Sequence, residues 1–404
     1  MAIQAALLGY GVVGSGVAEV LAENAASIAR NAGQPIELKY IFCRSDHTGE
    51  PFADRIVHDF SIIESDPEIE IVAECIGGSG VALDMVRRSL QAGKHVVTSN
   101  KEMVASYGHE LLAIAKEKNV NFLFEGSVGG GIPIIRPITQ CLAANELDEV
   151  YGIINGTTNY ILTQMIVEGA SFEDALADAQ RLGYAEADPT ADVEGIDAGR
   201  KICILADLCF GHHISPELVR MCGISGVHAR DIKYSRRVGY KIKLLGRALR
   251  TGPNTVTAYV EPHLINIRSL LSNVDGVMNG IVVRGNALGE CMFYGAGAGK
   301  RPTASAVVAD MIDCAKHREN RMYLNWDAPF PGHFTGPDDL VSRWYVRTGA
   351  SLAAVGGAFG NVRLINRESD PDDEYAFLSA PMSGHMLRNC SRGMDIRSAF
   401  RVLD

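Results

Sequence analysis

The chain has 404 residues, 47% of them hydrophobic, which is enough for two or three domains with sizeable cores. A formal charge of -10 argues against nucleic acid as a partner, and no uninterrupted apolar run of 18 residues is present to span a membrane. Nine scattered cysteines without a Cys-x-x-Cys pair predict reduced thiols, not a disulfide framework or a zinc site, and so a cytoplasmic protein.

The first 21 residues are apolar but have no basic leader and carry Glu19, so they are not read as a signal peptide. Residues 2–8 are an apolar run of strand length, followed by Gly9-Tyr10-Gly11-Val12-Val13-Gly14. Val13, Val17, Val20 and Leu21 then recur at helical spacing. A strand, a Gly-x-Gly-x-x-Gly turn and a helix make the setting of a dinucleotide-binding loop. The first glycine permits the tight turn and the second admits the pyrophosphate. The third lets helix and strand pack closely, with the phosphates at the helix N-terminus.

The second strand, "IELKYIFCR", ends near Arg44. An acid at that point would hold a ribose 2'-hydroxyl. Here Arg44 suits a 2'-phosphate or is an exposed loop arginine, and Asp46 stands close by. Alternation of strands and helices continues with a strand at 69–78, a helix at 81–93 and a strand at 94–101. A helix at 109–119 and a strand at 121–133 follow. The pattern predicts a parallel sheet with ligands at the C-terminal strand ends. Gly9–Gly14, Ser99–Lys101 and Glu125–Ile132 would then face one crevice, and Lys101 is either a residue of that lip or a surface lysine.

Next, "VYGIINGTTNYILTQM" runs strand, turn, helix, with Thr157 and Thr158 as candidate caps. A Ser171-capped helix stops at Gly183. Five carboxylates crowd the stretch after it: Glu186, Asp188, Asp192, Glu194 and Asp197. A single helix is expected over 192–211. Asp192 and Glu194 suit its positive N-terminal end. Asp197 and Lys201 stand one turn apart on one face. Gly195 and Gly199 each cost such a helix about 1 kcal/mol, so a close backbone approach is expected there. After Lys201 the text is almost wholly apolar, so the lysine sits where the helix becomes buried. Desolvation there would suit Lys201 to proton transfer; a structural salt bridge is the plainer alternative.

In order, "GYGVVGSG", "TSNK", "EGSVGGGIPII", "NGTTNYIL", "GYAEADPTADVEGIDAGRK" and "GAGAGKRPTASAV" cover residues 1 to about 320. In these blocks the chain resembles the homoserine dehydrogenase family. The resemblance implies an α/β protein that interconverts L-homoserine and L-aspartate 4-semialdehyde with NADP, or with NAD. It implies a Rossmann-like doubly wound sheet over 1–131, completed by a helix at 302–320. An α+β catalytic and dimerisation domain would follow over 132–301, giving a homodimer or homotetramer. It makes Lys201 the proton donor or base, with Lys101 beside nicotinamide and substrate and Asp192 nearby. Glu186 and Asp197 would bind the amino acid. Gly9, Gly11, Val12, Val13, Gly14, Arg44, Lys101, Gly183 and Gly297 would face the cofactor. A structural sodium ion would lie among Glu125, Val128, Gly130 and Ile132, largely on backbone carbonyls. Another amino-acid dehydrogenase on this scaffold is the second reading, and a nucleotide sensor without catalysis the third; Lys101 and Lys201 weigh against the latter.

Residues 325–340, rich in Pro and Gly, are expected to be a linker. Residues 341–404 predict the order βαββαβ and resemble an ACT regulatory domain. That family's Asp-x-Pro-Gly-Val-Leu loop is missing; the text there is Thr348-Gly-Ala-Ser-Leu. A dimerising or vestigial tail fits that departure at least as well as an effector-binding one.

Overall fold

The computed structural model describes residues 2–403 apart from 323, 325, 369 and 372. The first six strands, Ile3–Leu8, Ile36–Phe42, Ile56–Val57, Ile69–Glu74, His95–Thr98 and Phe122–Leu123, form one parallel sheet. In space they run 3-2-1-4-5-6. This is the doubly wound order, in which a crevice opens beyond the C-terminal strand ends where the order reverses. Ile3–Leu8 is buried at five of its six positions because helices cover both faces. The helix Lys300–Lys316 returns to this domain and packs against Val12–Glu23. The contact is close because Gly16 faces Ala304: a Cβ on Gly16 would stand 3.1 Å from that of Ala304.

The second sheet has ten strands. Its path runs Gly289–Ala296, Met278–Gly285, Leu147–Ile153, Tyr240–Gly252, Thr255–Asn266, Ile396–Leu403, Trp344–Thr348, Tyr375–Leu378, Arg363–Leu364. Arg220–Met221 also pairs with Thr255–Asn266, off that path. The helices Gly156–Val167 and Ile196–Phe210 pack on this sheet. Among the described residues, no helix is long and apolar enough to cross a membrane.

Several expected elements differ in the structure. The strand expected over 121–133 is only Phe122–Leu123; a 3-10 turn, Glu125–Ser127, follows, because the Glu125 carboxylate draws in the N–H groups of Ile134, Ile135 and Arg136. The helix expected from 109 begins at Lys101, capped by the Asn100 side chain. Thr157 and Thr158 do not cap their helix: Asn155 does, accepting from the Thr158 N–H at 2.8 Å. The helix expected over 192–211 is broken at Gly195, whose φ of +80° no right-handed helix accommodates. The thirteen-residue strand Tyr240–Gly252 is the hub of the second sheet, pairing with both Leu147–Ile153 and Thr255–Asn266.

The stretch 325–340 is not a free connector. Asn325 lies outside the described residues, but Trp326 and His333 are buried. Val256 donates to the His333 carbonyl and Thr335 donates to that of Val256, so the segment adds to the strand it crosses. The tail departs from the expected βαββαβ order by two further short strands, Val341–Ser342 and Met382–Ser383, which pair with each other; its remaining strands are continuous with the second sheet, where Ile396–Leu403 pairs in parallel with Thr255–Asn266.

Candidate active site

Gly9 leaves the first strand with φ +94°. A Cβ on Gly14 would stand 2.0 Å from the Gly9 carbonyl oxygen, so only glycine lets the helix begin this close to the turn. Around Gly11 no atom lies within 4 Å of where a Cβ would be. The helix N-terminus therefore opens onto free space, where N–H groups and the positive end of the helix dipole meet an anion. This cradle fits the pyrophosphate of a dinucleotide. Val12 is exposed at its lip and Val13 is half-buried. Arg44 is exposed two residues beyond the end of Ile36–Phe42. The nearby Asp46 carboxylate faces His58 at 3.0 Å.

The next two strand ends are tied together. Buried Glu74 accepts the N–H groups of Ile76 and Gly77 and the Thr98 hydroxyl. Thr98 in turn accepts the Asn100 N–H, and Asn100 caps the helix that begins with Lys101. Lys101 thus leaves the parallel sheet at its C-terminal edge, and its ammonium reaches Asp197 Oδ1 at 2.7 Å.

Asp197 belongs to the helix Ile196–Phe210 of the other domain. Lys201, one turn on, donates to Asp197 Oδ2 at 2.6 Å and to the Ile154 carbonyl at 2.9 Å. One carboxylate therefore holds two lysines, one from each domain. Burial alone would raise the Asp197 pKa, but Lys201, Lys101 and the Asn155 amide outweigh it and hold the carboxyl well below its usual range. Burial is also the largest influence on Lys201 and lowers its pKa; Lys101 adds to the fall, while Asp197 and Asp192 oppose it without cancelling it. The helix can lie here because Gly199 admits Met221: a Cβ on Gly199 would stand 2.2 Å from the Met221 methyl carbon.

Lys101, Asp192, Asp197 and Lys201 line a cavity of about 610 Å³, with Glu186, Gly183 and Gly297 on its wall. Glu186 is exposed to it. Gly183 turns the chain with φ +76°, and Gly297 leaves the room that the Asn279 side chain occupies. Gly9–Gly14 and Arg44 do not line this cavity; they border the crevice of the parallel sheet. Glu125, Val128, Gly130 and Ile132 form a separate, buried group, and Glu125 and Gly130 line a second cavity of about 410 Å³. Sequence reasoning missed Asn155, the Ile154 carbonyl, Glu74 and Asn279. For Asn155 the Asn-Gly dipeptide before an apolar helix was the available signal; nothing local marks the others.

A family model described as "Homoserine dehydrogenase, NAD binding domain" matches residues 9–125, and one described as "Homoserine dehydrogenase" matches 133–312. The chain belongs to the homoserine dehydrogenase family. It is 45% identical over 354 residues to the homoserine dehydrogenase of Neisseria gonorrhoeae, covering 85% of this chain and 81% of that protein. The crystal structure of a homoserine dehydrogenase from Thiobacillus denitrificans superposes with a TM-score of 0.92 at 36% identity, over 100% of this chain and 99% of that one. A hyperthermophilic archaeal homoserine dehydrogenase, solved in complex with NADPH, matches 78% of this chain and 98% of its own at 30% identity and a TM-score of 0.67. As a homoserine dehydrogenase the chain is an oxidoreductase with a nicotinamide-nucleotide domain, which is the role the open Gly11 cradle supports on physical grounds.

Proposed function

We propose that the chain reduces L-aspartate 4-semialdehyde to L-homoserine, with Lys201 as proton donor and NADPH as the preferred reductant. The observation that carries this reading is the buried array Lys201–Asp197–Lys101 on the wall of the cavity. The Gly9–Gly14 turn would hold a nicotinamide dinucleotide, which when bound would supply hydride chemistry at the aldehyde carbon. Lys201 gives its proton to the aldehyde oxygen, and in the reverse direction takes it from the alcohol. Asp197 orients both lysines. Lys101 stands at the join of the two domains, where it would lie beside a bound nicotinamide. Glu186 is the carboxylate open to the substrate's α-ammonium; Asp197 reaches that group only by sharing an oxygen with a lysine. Asp192 adds negative charge on the same side.

Arg44 supports the preference for a 2'-phosphate, since no acid precedes it at the strand end and Asp46 is turned to His58. Sodium is proposed at Glu125 with the carbonyls of Val128, Gly130 and Ile132. An oxygen-only, buried donor set suits a hard cation. Glu125 accepts three N–H donors, two on Oε1 and one on Oε2, so the lone-pair site left for an ion is on Oε2, which the Arg136 guanidinium also faces at 3.9 Å. The tail is read as a divergent ACT-like unit with a structural role, and the assembly as a homodimer or homotetramer. Nine free thiols accord with the cytoplasm.

The test is oxidation of NADPH by the purified protein with L-aspartate 4-semialdehyde. Semialdehyde-dependent turnover, faster than with other amino aldehydes, is expected. NADPH binding without turnover on any of them would overturn the reading.

A further inference from the structure

We propose that Asn155 is a positioning residue of the catalytic lysine: its amide clamps Asp192 and Asp197 so that Lys201 meets the substrate in one fixed setting. The inference rests on Lys201 being the proton donor.

Asn155 lies in the turn between the strand Leu147–Ile153 and the helix Gly156–Val167, and is 5% exposed. Its Nδ2 donates to Asp192 Oδ1 at 2.7 Å and to Asp197 Oδ2 at 2.9 Å. Its Oδ1 accepts the Thr158 N–H and the Thr158 hydroxyl, both at 2.8 Å. The amide can therefore stand only one way round. Flipped, its oxygen would face two carboxylates and its NH2 group a backbone N–H. Both polar atoms of the side chain are used: Nδ2 on the two carboxylates beside Lys201, and Oδ1 on Thr158, where it caps the helix.

Asp197 Oδ2 is shared by Asn155 and Lys201, while Oδ1 faces Lys101. A carboxylate held from one side by a fixed amide cannot rotate to exchange its two lysines. The residue before Asn155 supplies the other acceptor for Lys201, the Ile154 carbonyl. The turn 154–155 thus grips the ammonium directly and its counterion through the amide. The clamp also holds Asp192 close enough to favour the charged lysine. The charged groups around Lys201 are Asp197 on its own helix, Lys101 on the helix Lys101–Lys118, and Asp192 on the short helix Thr190–Val193. Glu186, Asp188 and Arg200 complete the charged lining of the cavity.

Two variants separate clamping from helix capping. Asn155→Ser and Asn155→Asp both keep a side-chain oxygen for the Thr158 N–H, since serine and aspartate cap as well as asparagine does. Neither has the NH2 donor. Both should lose kcat by about 10-fold or more, because a small displacement of a reacting group is costly, while the KM for NADPH stays near that of the parent. In Asn155→Asp a third carboxylate joins the group, so the limb of the homoserine-oxidation pH profile that needs neutral Lys201 should move to higher pH. The position of that limb does not depend on how much of the enzyme is folded. Lys201→Ala, measured alongside, separates the two claims. If it is inactive and the Asn155 variants match the parent in kcat and profile, the clamp is overturned and the proton donor stands. If Lys201→Ala keeps both activity and the limb, the proton-donor reading fails, and the clamp with it.

Discussion

Lys101 and Lys201 stand on opposite oxygens of the Asp197 carboxylate, 2.7 Å and 2.6 Å away, although one lysine belongs to the nucleotide domain and the other to the helix Ile196–Phe210. The two domains therefore meet through a charge array, at the point where the proposed reaction would bring hydride and proton together.

Lys201→Ala should lower turnover about 100-fold or more, the usual size of a general acid-base contribution. Lys201→Arg should fail as well, because arginine keeps the charge but does not release a proton at working pH. Burial lowers the Lys201 pKa. Reduction needs the protonated lysine, so its rate should fall as pH rises through that pKa; oxidation needs the neutral lysine and should rise there. Rates in both directions across pH check the sign. An active Lys201→Arg enzyme would leave the pair as a salt bridge only.

Asp197→Ala should be more damaging to the fold than Lys101→Ala. It leaves Lys201 buried without its counterion, and breaking a buried pair from one side costs about 3–5 kcal/mol. Lys101 is the more exposed partner and can turn to solvent. Denaturant unfolding of the two variants compares the costs; equal stabilities would contradict the account.

Arg44→Ala should raise the KM for NADPH more than that for NADH. With Asp46 already facing His58, exposed Arg44 is the charge at the end of the second strand that suits a 2'-phosphate. Equal changes for both cofactors would remove the argument.

Withdrawal of monovalent cations should lower activity and melting temperature, and sodium should restore both. Mutating Glu125 would not test this cleanly. It would strand three N–H groups, each unsatisfied buried donor costing about 1–3 kcal/mol with or without an ion. Full activity and unchanged melting in cation-free buffer would count against the site.

Threonine should inhibit weakly or not at all, because the tail has Thr348-Gly-Ala-Ser-Leu where an effector loop would stand, and Ser351 there serves as a helix cap. Deleting residues 341–404 should alter stability and assembly rather than release an inhibited enzyme. Buried Arg401 pairs with Glu261 at 2.5 Å where the tail joins the second sheet, and its loss leaves that carboxylate, among the described residues, with the Arg220 ion pair only. Initial rates against threonine, and sedimentation of the truncated chain, are the checks. Cooperative threonine inhibition that the deletion abolishes would reverse this reading.

Contacts within one turn or one loop were legible in the residue order. Gly9, Gly11 and Gly14 declare a turn because φ, space and close packing are local demands. Asp197 and Lys201 declare a pair because helical geometry puts residues four apart on one face. Even Gly199 signalled a close approach, since a glycine there weakens a helix and needs a reason. What approached it, Met221, could not be read, because no local rule links those two positions. The same holds for the partners that set the lysine's chemistry. Lys101 reaches Asp197 across the domain boundary, the Ile154 carbonyl lies 47 residues from Lys201, and the Asn155 amide lies 42 from Asp197. The union of the tail sheet with the catalytic sheet, through His263 and Arg401 among others, is of this kind too. Side-chain periodicity reports which face of an element is buried. The partner it is buried against is chosen only when the whole chain packs, so the sequence pointed to the candidate reacting groups and the tertiary structure determined what surrounds and orients them.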